Sequence, residues 1–362
     1  MSNKKVELMP ERILIVGGAG FIGSCLAIGL KKLHPEWQII CLDNLRRRGS
    51  ELNIPRLKSC GIQFVYGDIR TAADLDPVVL NADCIIDCAA EPSVLAGFSS
   101  PQYVLQTNLL GTVNVLELAR QTGASLLFLS TSRVYPIASV KSVKLLELDD
   151  RFAIAPEQTL PGISQLGISE DFPLKGHRSL YGATKLASEL LIEEYREAYD
   201  LQAIINRCGL ITGAWQMGKV DQGVCGLWVA AHYFQKSLSY IGFGGSGKQV
   251  RDLLHVEDLL RLVNYQLEHF AEFDGEVFNV GGGLSNSLSL VETTDLCRKI
   301  VGKSIPIHPV LEERAGDIPI FITDSSRVME KTGWQPMIGP EAALQDIYDW
   351  IAANEVVLSS IL

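Results

Sequence analysis

The chain has 362 residues, 47% of them apolar and 20% charged, a composition that builds buried cores and excludes disordered and fibrous classes, at a length for which two domains are the prior. Lys and Arg number 32 against 42 Asp and Glu, a formal net charge of -10, which repels phosphate backbones and anionic lipid unless charge is segregated and argues against nucleic acid as a main partner. The eight cysteines include no CxxC pair, no signal-length apolar core precedes Pro10, and no stretch approaches the roughly 18 apolar residues of a bilayer span, so a reduced, cytoplasmic protein without a membrane partner is expected.

From residue 12 onward short apolar runs alternate with segments of helical period, the signature of an α/β fold with a Rossmann-type, doubly wound parallel sheet. The first strand is expected at Arg12–Val16 and the first helix at Phe21–Leu33, joined by GGAGFIG. Gly17, Gly20 and Gly23 let the backbone turn tightly and approach a pyrophosphate seated on the N-terminus of the helix that Phe21 and Ile22 open, where free N–H groups favour anions. The next strand, Gln38–Leu42, runs into Asp43-Asn44, 20 residues after Gly23. A carboxylate there accepts from both hydroxyls of an adenosine ribose and repels a 2′-phosphate, which predicts NAD as cofactor. Arg46-Arg47-Arg48 read either as a solvated basic loop or as partners for that phosphate. After a third strand at Gln63–Tyr66, Asp68-Ile69 either border the adenine or start a turn.

Further strands are expected at Cys84–Asp87, Ser125–Ser130, Gln202–Asn206 and Glu276–Val280, with helices at Pro101–Gln121 and Leu180–Tyr199. Glu91 either lines a pocket or serves the turn before Pro92. The fifth strand ends in Ser130-Thr131-Ser132-Arg133 at the carboxyl edge of the sheet, where open α/β sheets bind ligands, and Thr131 can hydrogen-bond a hydroxyl or a developing ketone there. Residues 136–178 are too long for an ordinary connection and read as an ordered flap over the site. Tyr181 and Lys185, four residues apart, share one face of their helix. A nearby ammonium stabilises phenolate over phenol, so the Tyr181 pKa is expected to fall and the phenol to serve as a base near neutral pH. A helix is expected from about Val220, a strand and helix returning to the main sheet near 254–280, and helices at Ser289–Val301 and Pro340–Ala353. The six histidines show no metal-ligand spacing, and no metal is expected. The expected division is a dinucleotide domain of residues 10–211 and 251–281 and a smaller, discontinuous domain of residues 212–250 and 282–362.

In order and spacing these motifs resemble those of the extended short-chain dehydrogenase/reductase family of nucleotide-sugar epimerases and dehydratases, over nearly the whole chain. Besides GGAGFIG, Asp43, the Ser-Thr pair and Tyr181/Lys185, the resemblance is carried by Asn108 in TNLLGTVNVLE, the GKQVRDLLHVEDL stretch around Arg251, FNVGGG at 278–283 and ERAGDIP at 313–319. It implies an NAD-dependent enzyme with Tyr181 as base, assisted by Lys185 and Thr131, and with Asn108 near the nicotinamide. The cofactor would lie against Gly17, Gly20, Phe21, Ile22, Gly23, Asp43, Asn44, Asp68, Ile69, Tyr181 and Lys185. A nucleotide sugar would meet Thr131, Ser132, Arg133, Arg207, Gln222, Arg251, Arg314 and Asp317, the arginine forks suiting its diphosphate. The resemblance also implies a homodimer through the helices at 101–121 and 180–199.

Within the family, DNLRRRGSELN, VDQG at 220–223, GKQVRDLLHVEDL and SNSLSL are similar to strings of the CDP-paratose (CDP-tyvelose) 2-epimerases, which implies inversion at C2 of a CDP-3,6-dideoxyhexose through a transient keto-sugar. Leu210 stands where UDP-galactose 4-epimerases place an asparagine, and Ser132-Arg133 follow Thr131 where dehydratases place Asp-Glu. A UDP-sugar 4-epimerase or nucleotide-sugar reductase, and a non-catalytic RNA-binding or scaffold member of the fold, are the alternatives.

Overall fold

The structure, a computed structural model, describes residues 10–218, 222–359 and 361. Seven strands form the main sheet: β1 (Arg12–Val16), β2 (Gln38–Asp43), β3 (Gln63–Tyr66), β4 (Cys84–Asp87), β5 (Ser125–Thr131), β6 (Ala203–Cys208) and β7 (Val277–Val280). All pair in parallel, in the spatial order β7-β6-β5-β4-β1-β2-β3. The strands are apolar on both faces because both faces are covered. Ile13 and Ile15 of β1 point into a core shared with α1 (Phe21–Leu33), while Leu14 and Val16 point into the opposite core with α2 (Gly111–Thr122) and α3 (Leu180–Tyr199). α4 (Val256–Glu268) lies on the α1 side through Leu259, Leu262 and Val263. The order reverses between β1 and β4, which opens a crevice at their carboxyl ends, the place where such sheets take ligands.

Three expectations are corrected. The helix expected over Pro101–Gln121 is broken by a π-helical turn, Gln106–Leu110, between Pro101–Leu105 and α2. The helix expected from about Val220 starts at Val224 because Gly223, at φ 68°, turns the chain left-handed just before it; Val220 and Asp221 lie outside the described residues. The strand expected to rejoin the main sheet near 254 does not, and only β7 does. Val250–His255 instead centres a smaller sheet, parallel to Leu210–Thr212 and Ile320–Phe321 and antiparallel to Ser287–Ser289.

The 136–178 excursion is ordered, with a short helix (Ile137–Lys141) and two small hairpins. Val140, Ile154, Ile168 and Phe172 bury themselves against Val250 and Ile318–Ile322. Its ends meet at a neck. Ile137 N–H donates to the His177 carbonyl at 2.9 Å, Arg178 donates to the Val134 carbonyl, and a Cβ on Gly176 would lie 2.9 Å from the Pro136 ring. No helix among the described residues is long and apolar enough to cross a membrane.

Candidate active site

The crevice is built first from what glycine omits. Gly17 has φ +72°, and a Cβ there would stand 2.9 Å from the Ala89 backbone; a Cβ on Gly23 would stand 2.3 Å from the Gly17 carbonyl oxygen. Any side chain would close the turn. Gly20, at the N-cap of α1, provides no capping side chain, so the first amides of the helix remain at the end of β1 for an anion. Asp43 accepts from Ala19 N–H at 3.1 Å with one oxygen and from Leu45 N–H at 2.8 Å with the other, and each oxygen keeps a lone pair for a ribose hydroxyl. Burial raises its pKa against these amides. Cradle, helix start and carboxylate fit a dinucleotide such as NAD.

Around this cradle, Phe21 and Ile22 pack partly buried against the core, and Ile69 is buried against Gly111. Asn44 donates to Asp68 at 3.0 Å, and the Arg70 fork on the same carboxylate pushes its pKa down to about 2. In the triple arginine, Arg46 and Arg48 are exposed and Arg47 is half-buried. Arg46 stacks on Tyr103, 4.7 Å from the ring centroid, with Arg70 over the same ring at 5.0 Å. Arg47 donates to the Met217 carbonyl at 2.7 Å and to Gln222.

Beyond β5 the site turns on Gly182. Ser179 caps α3 by accepting from Gly182 N–H at 3.2 Å, and a Cβ on Gly182 would lie 2.0 Å from the Arg133 carbonyl oxygen. The glycine therefore lets the first turn of α3 rest on the turn Ser132–Val134, which brings Tyr181 to Thr131 and Arg133. Thr131 Oγ1 also accepts from Arg133 N–H at 3.2 Å. Burial raises the Tyr181 pKa; the Thr131 hydroxyl and Arg133 oppose the rise, while Cys208 and Glu91 add to it. The expected downward shift is thus reversed, because removing the phenolate from water outweighs its neighbours. Lys185, one turn on, is itself buried, its Nζ 3.9 Å from the Phe128 ring centroid. Burial lowers its pKa, with Asp87 the first group to oppose.

Arg133 donates to the Gly316 carbonyl at 3.2 Å, and Arg251 pairs with Asp317 at 3.0 Å and donates to the Ile318 carbonyl at 2.7 Å. Burial pulls the Arg251 pKa down to about 10, with Asp317 opposing and Arg133 adding to the fall. Asp252 is a second carboxylate facing Arg251, and the two guanidinium forks of Arg133 and Arg251 are of a kind suited to phosphate oxygens. Arg314, whose carbonyl accepts from Asp317 N–H at 3.1 Å, lines a cavity of about 230 Å³ with Leu227, Trp228, Lys236 and Ser239.

The structure therefore gathers Thr131, Ser132, Arg133, Tyr181, Lys185, Arg251 and Asp317, with Arg314 next door. Arg207 it places elsewhere: buried, forked on Glu189 at 2.7 Å and donating to the Tyr135 hydroxyl at 3.3 Å, it is a strut between β6 and α3. Asn108, fully buried in the π turn, exchanges hydrogen bonds with the Glu91 backbone at 2.7 and 3.0 Å, clamping the loop after β4. Gln222 reaches that loop too, donating to Glu91 Oε1 at 3.3 Å, and Glu91 also accepts from Ser93 N–H at 3.1 Å, the turn role. Sequence reasoning missed Gly182 and the buried Asp87. A glycine directly after a tyrosine at a helix start was the available signal for the first.

The pattern of the NAD dependent epimerase/dehydratase family matches residues 13–281. A CDP-paratose 2-epimerase of Salmonella typhi is 29% identical over 354 residues, covering 94% of this chain and 99% of the relative. A dTDP-glucose 4,6-dehydratase of Mycolicibacterium smegmatis is 28% identical, covering 95% and 94%. Among solved structures, the UDP-glucose 4-epimerase of Thermus thermophilus in complex with NAD superposes with a TM-score of 0.75 at 25% identity, over 94% of this chain and 99% of that one.

Proposed function

The chain belongs to the NAD-dependent epimerase/dehydratase family and is an NAD-dependent enzyme, and from that premise we propose that it inverts C2 of a CDP-3,6-dideoxyhexose, interconverting CDP-paratose and CDP-tyvelose, as a cytoplasmic homodimer. The observation that carries this reading is the meeting of Tyr181 with Thr131 and Arg133 beside the Arg251–Asp317 pair, joined to the full-length likeness to a 2-epimerase.

NAD, when bound, supplies a hydride acceptor that is regenerated within each turnover. The chain's part is to move protons and hold the substrate. Tyr181 takes the proton from the sugar hydroxyl and returns it after the ring has turned over, with Thr131 fixing the hydroxyl's direction and Lys185 adding positive charge behind the phenol. Arg251 and Arg314 hold the diphosphate, and Asp317 fixes the plane of the Arg251 fork. The seven-stranded sheet carries the cofactor, and the smaller sheet of Leu210–Thr212, Val250–His255, Ser287–Ser289 and Ile320–Phe321, with the segments around it, carries the nucleotide sugar. Arg133 stands where elimination would need a carboxylate, which favours epimerisation over dehydration.

Isotopes decide the carbon. With CDP-paratose or CDP-tyvelose deuterated at C2, turnover is expected to slow and the label to stay at C2 of the product; deuterium at C4 is expected to leave the rate unchanged. An isotope effect from C4 alone would make the enzyme a 4-epimerase, and consumption of added NADH would make it a reductase.

A further inference from the structure

Asp87 ends β4 and is 0% exposed, and none of the steps above uses it. One of its oxygens accepts from Ala89 N–H at 3.0 Å; the other, Oδ2, is buried without a hydrogen-bond partner. An ionised carboxylate with a bare oxygen is costly to keep in a core unless an opposite charge stands by.

The strand register locates that charge. Asp87 pairs with Phe128 of β5 on one side and Val16 of β1 on the other. Val16, Ile85 and Phe128 all face the apolar layer under α2 and α3, so by the alternation of a strand Asp87 faces it too. Lys185 descends from α3 into the same layer and stops over the Phe128 ring, 3.9 Å from Nζ to centroid. Carboxylate and ammonium thus occupy neighbouring positions on one face, at 0% and 1% exposure.

We propose that Asp87 is the counter-charge of Lys185, a positioning residue that keeps the buried ammonium protonated and in place one turn from Tyr181. This rests on the reading of Tyr181 and Lys185 as the proton-handling pair. The other titratable groups facing Lys185 are Cys88, Glu189 and Cys208. Glu189 is spent on Arg207 and Ser130, and burial pushes the Cys88 thiol well up and the Cys208 thiol to about 12, which keeps both neutral. Asp87 is faced by Lys185, by the Thr112 hydroxyl and by the neutral Cys88 thiol. Among the described residues, Asp87 is the anion left to the ammonium. Burial pulls the two pKa values in the directions that discharge each group, and each is the first charge to hold the other back.

The test is a double-mutant cycle of Asp87→Asn, which keeps the shape and removes the charge, and Lys185→Met. Unfolding of the four full-length proteins needs no substrate. Each single variant is expected to unfold more readily, and the double variant to regain about tenfold or more in the unfolding equilibrium over the product of the single effects. The second readout is the pH profile of turnover in Asp87→Asn. Loss of the carboxylate lowers the Lys185 pKa, so the alkaline limb is expected to move down by about one pH unit while packing is unchanged. Additive unfolding effects, or an alkaline limb that stays in place, would overturn the proposal. A wild-type protein that turns over no nucleotide sugar would bring down the functional reading, while the unfolding cycle would still decide the pair.

Discussion

A phenol becomes a base only when its surroundings favour the phenolate, and at Tyr181 burial works against that form while Thr131 and Arg133 work for it. The residue should nonetheless dominate the chemistry, because few other groups at the site can exchange a proton with a sugar hydroxyl. Tyr181→Phe is expected to cut turnover about 10² to 10⁴-fold, the scale of a general-base contribution, with nucleotide-sugar affinity by calorimetry nearly unchanged. Turnover close to wild type would remove Tyr181 from the reaction. The tyrosine and the lysine were legible as one face of a helix and the threonine as a hydroxyl at a strand exit, and the family resemblance joined the three; the direction of the Tyr181 shift was not legible, since it depends on how completely the folded chain covers the ring. Asp87 was hidden for a similar reason. In Cys84-Ile85-Ile86-Asp87 it looks like any carboxylate that opens a turn, and only the register beside Phe128 shows what it faces.

At the scale of elements, α3 is held to the sheet by a charged strut as well as by apolar packing. Glu189 of α3 and Arg207 of β6 are buried in a bidentate pair. Glu189→Ala would leave a guanidinium in the core without its partner, and a loss of about 3–5 kcal/mol in denaturant unfolding is expected. Replacing both residues by apolar ones of similar volume is expected to recover most of that loss, and a double variant no more stable than Glu189→Ala would show that the strut acts otherwise. The seven main strands were legible because buried parallel strands are continuous apolar runs. Val250–His255 followed by α4 reads as one more strand and helix of the same kind, yet it pairs in the smaller sheet. Partner choice between sheets is set by contacts distant in sequence, with Leu210–Thr212 and Ile320–Phe321, and local pattern carries none of that information. The π turn escaped for the opposite reason: its single extra residue per turn barely alters the apolar period, although it is what presents Asn108 to the loop after β4.

For the whole molecule, three leucines bear on the proposed homodimer. Leu105, Leu110 and Leu190 are 40%, 53% and 58% exposed, on the Pro101–Leu105 helix, the π turn and α3. A large apolar side chain left half in water on adjoining helices suits a second copy of the same surface, related by a two-fold axis. Light scattering is expected to give twice the chain mass for the wild type and the single-chain mass for Leu190→Glu. A monomeric wild type would dispose of the dimer without touching the chemistry.

The neck of the 136–178 excursion has a consequence for how this chain can vary. Thr131 and Arg133 precede it and Tyr181 follows it, and the ties between Ile137 and His177 and between Arg178 and Val134 close the excursion into a ring of its own. The entropy of closing a flexible loop grows only logarithmically with length, about 0.6 kcal/mol per doubling. Insertions or deletions beyond the neck therefore leave the spacing of the proton-transfer groups alone, and what deletions forfeit is the packing of Ile168 and Phe172 over Ile318–Ile322, the hydrogen bonds of Asn279 to Glu170 and the Ile168 carbonyl, and those of Arg151 to Ser287 and Glu292. The excursion is built as a cassette hung on two ties, whose length can change while Thr131, Arg133 and Tyr181 on the near side of the neck keep their places.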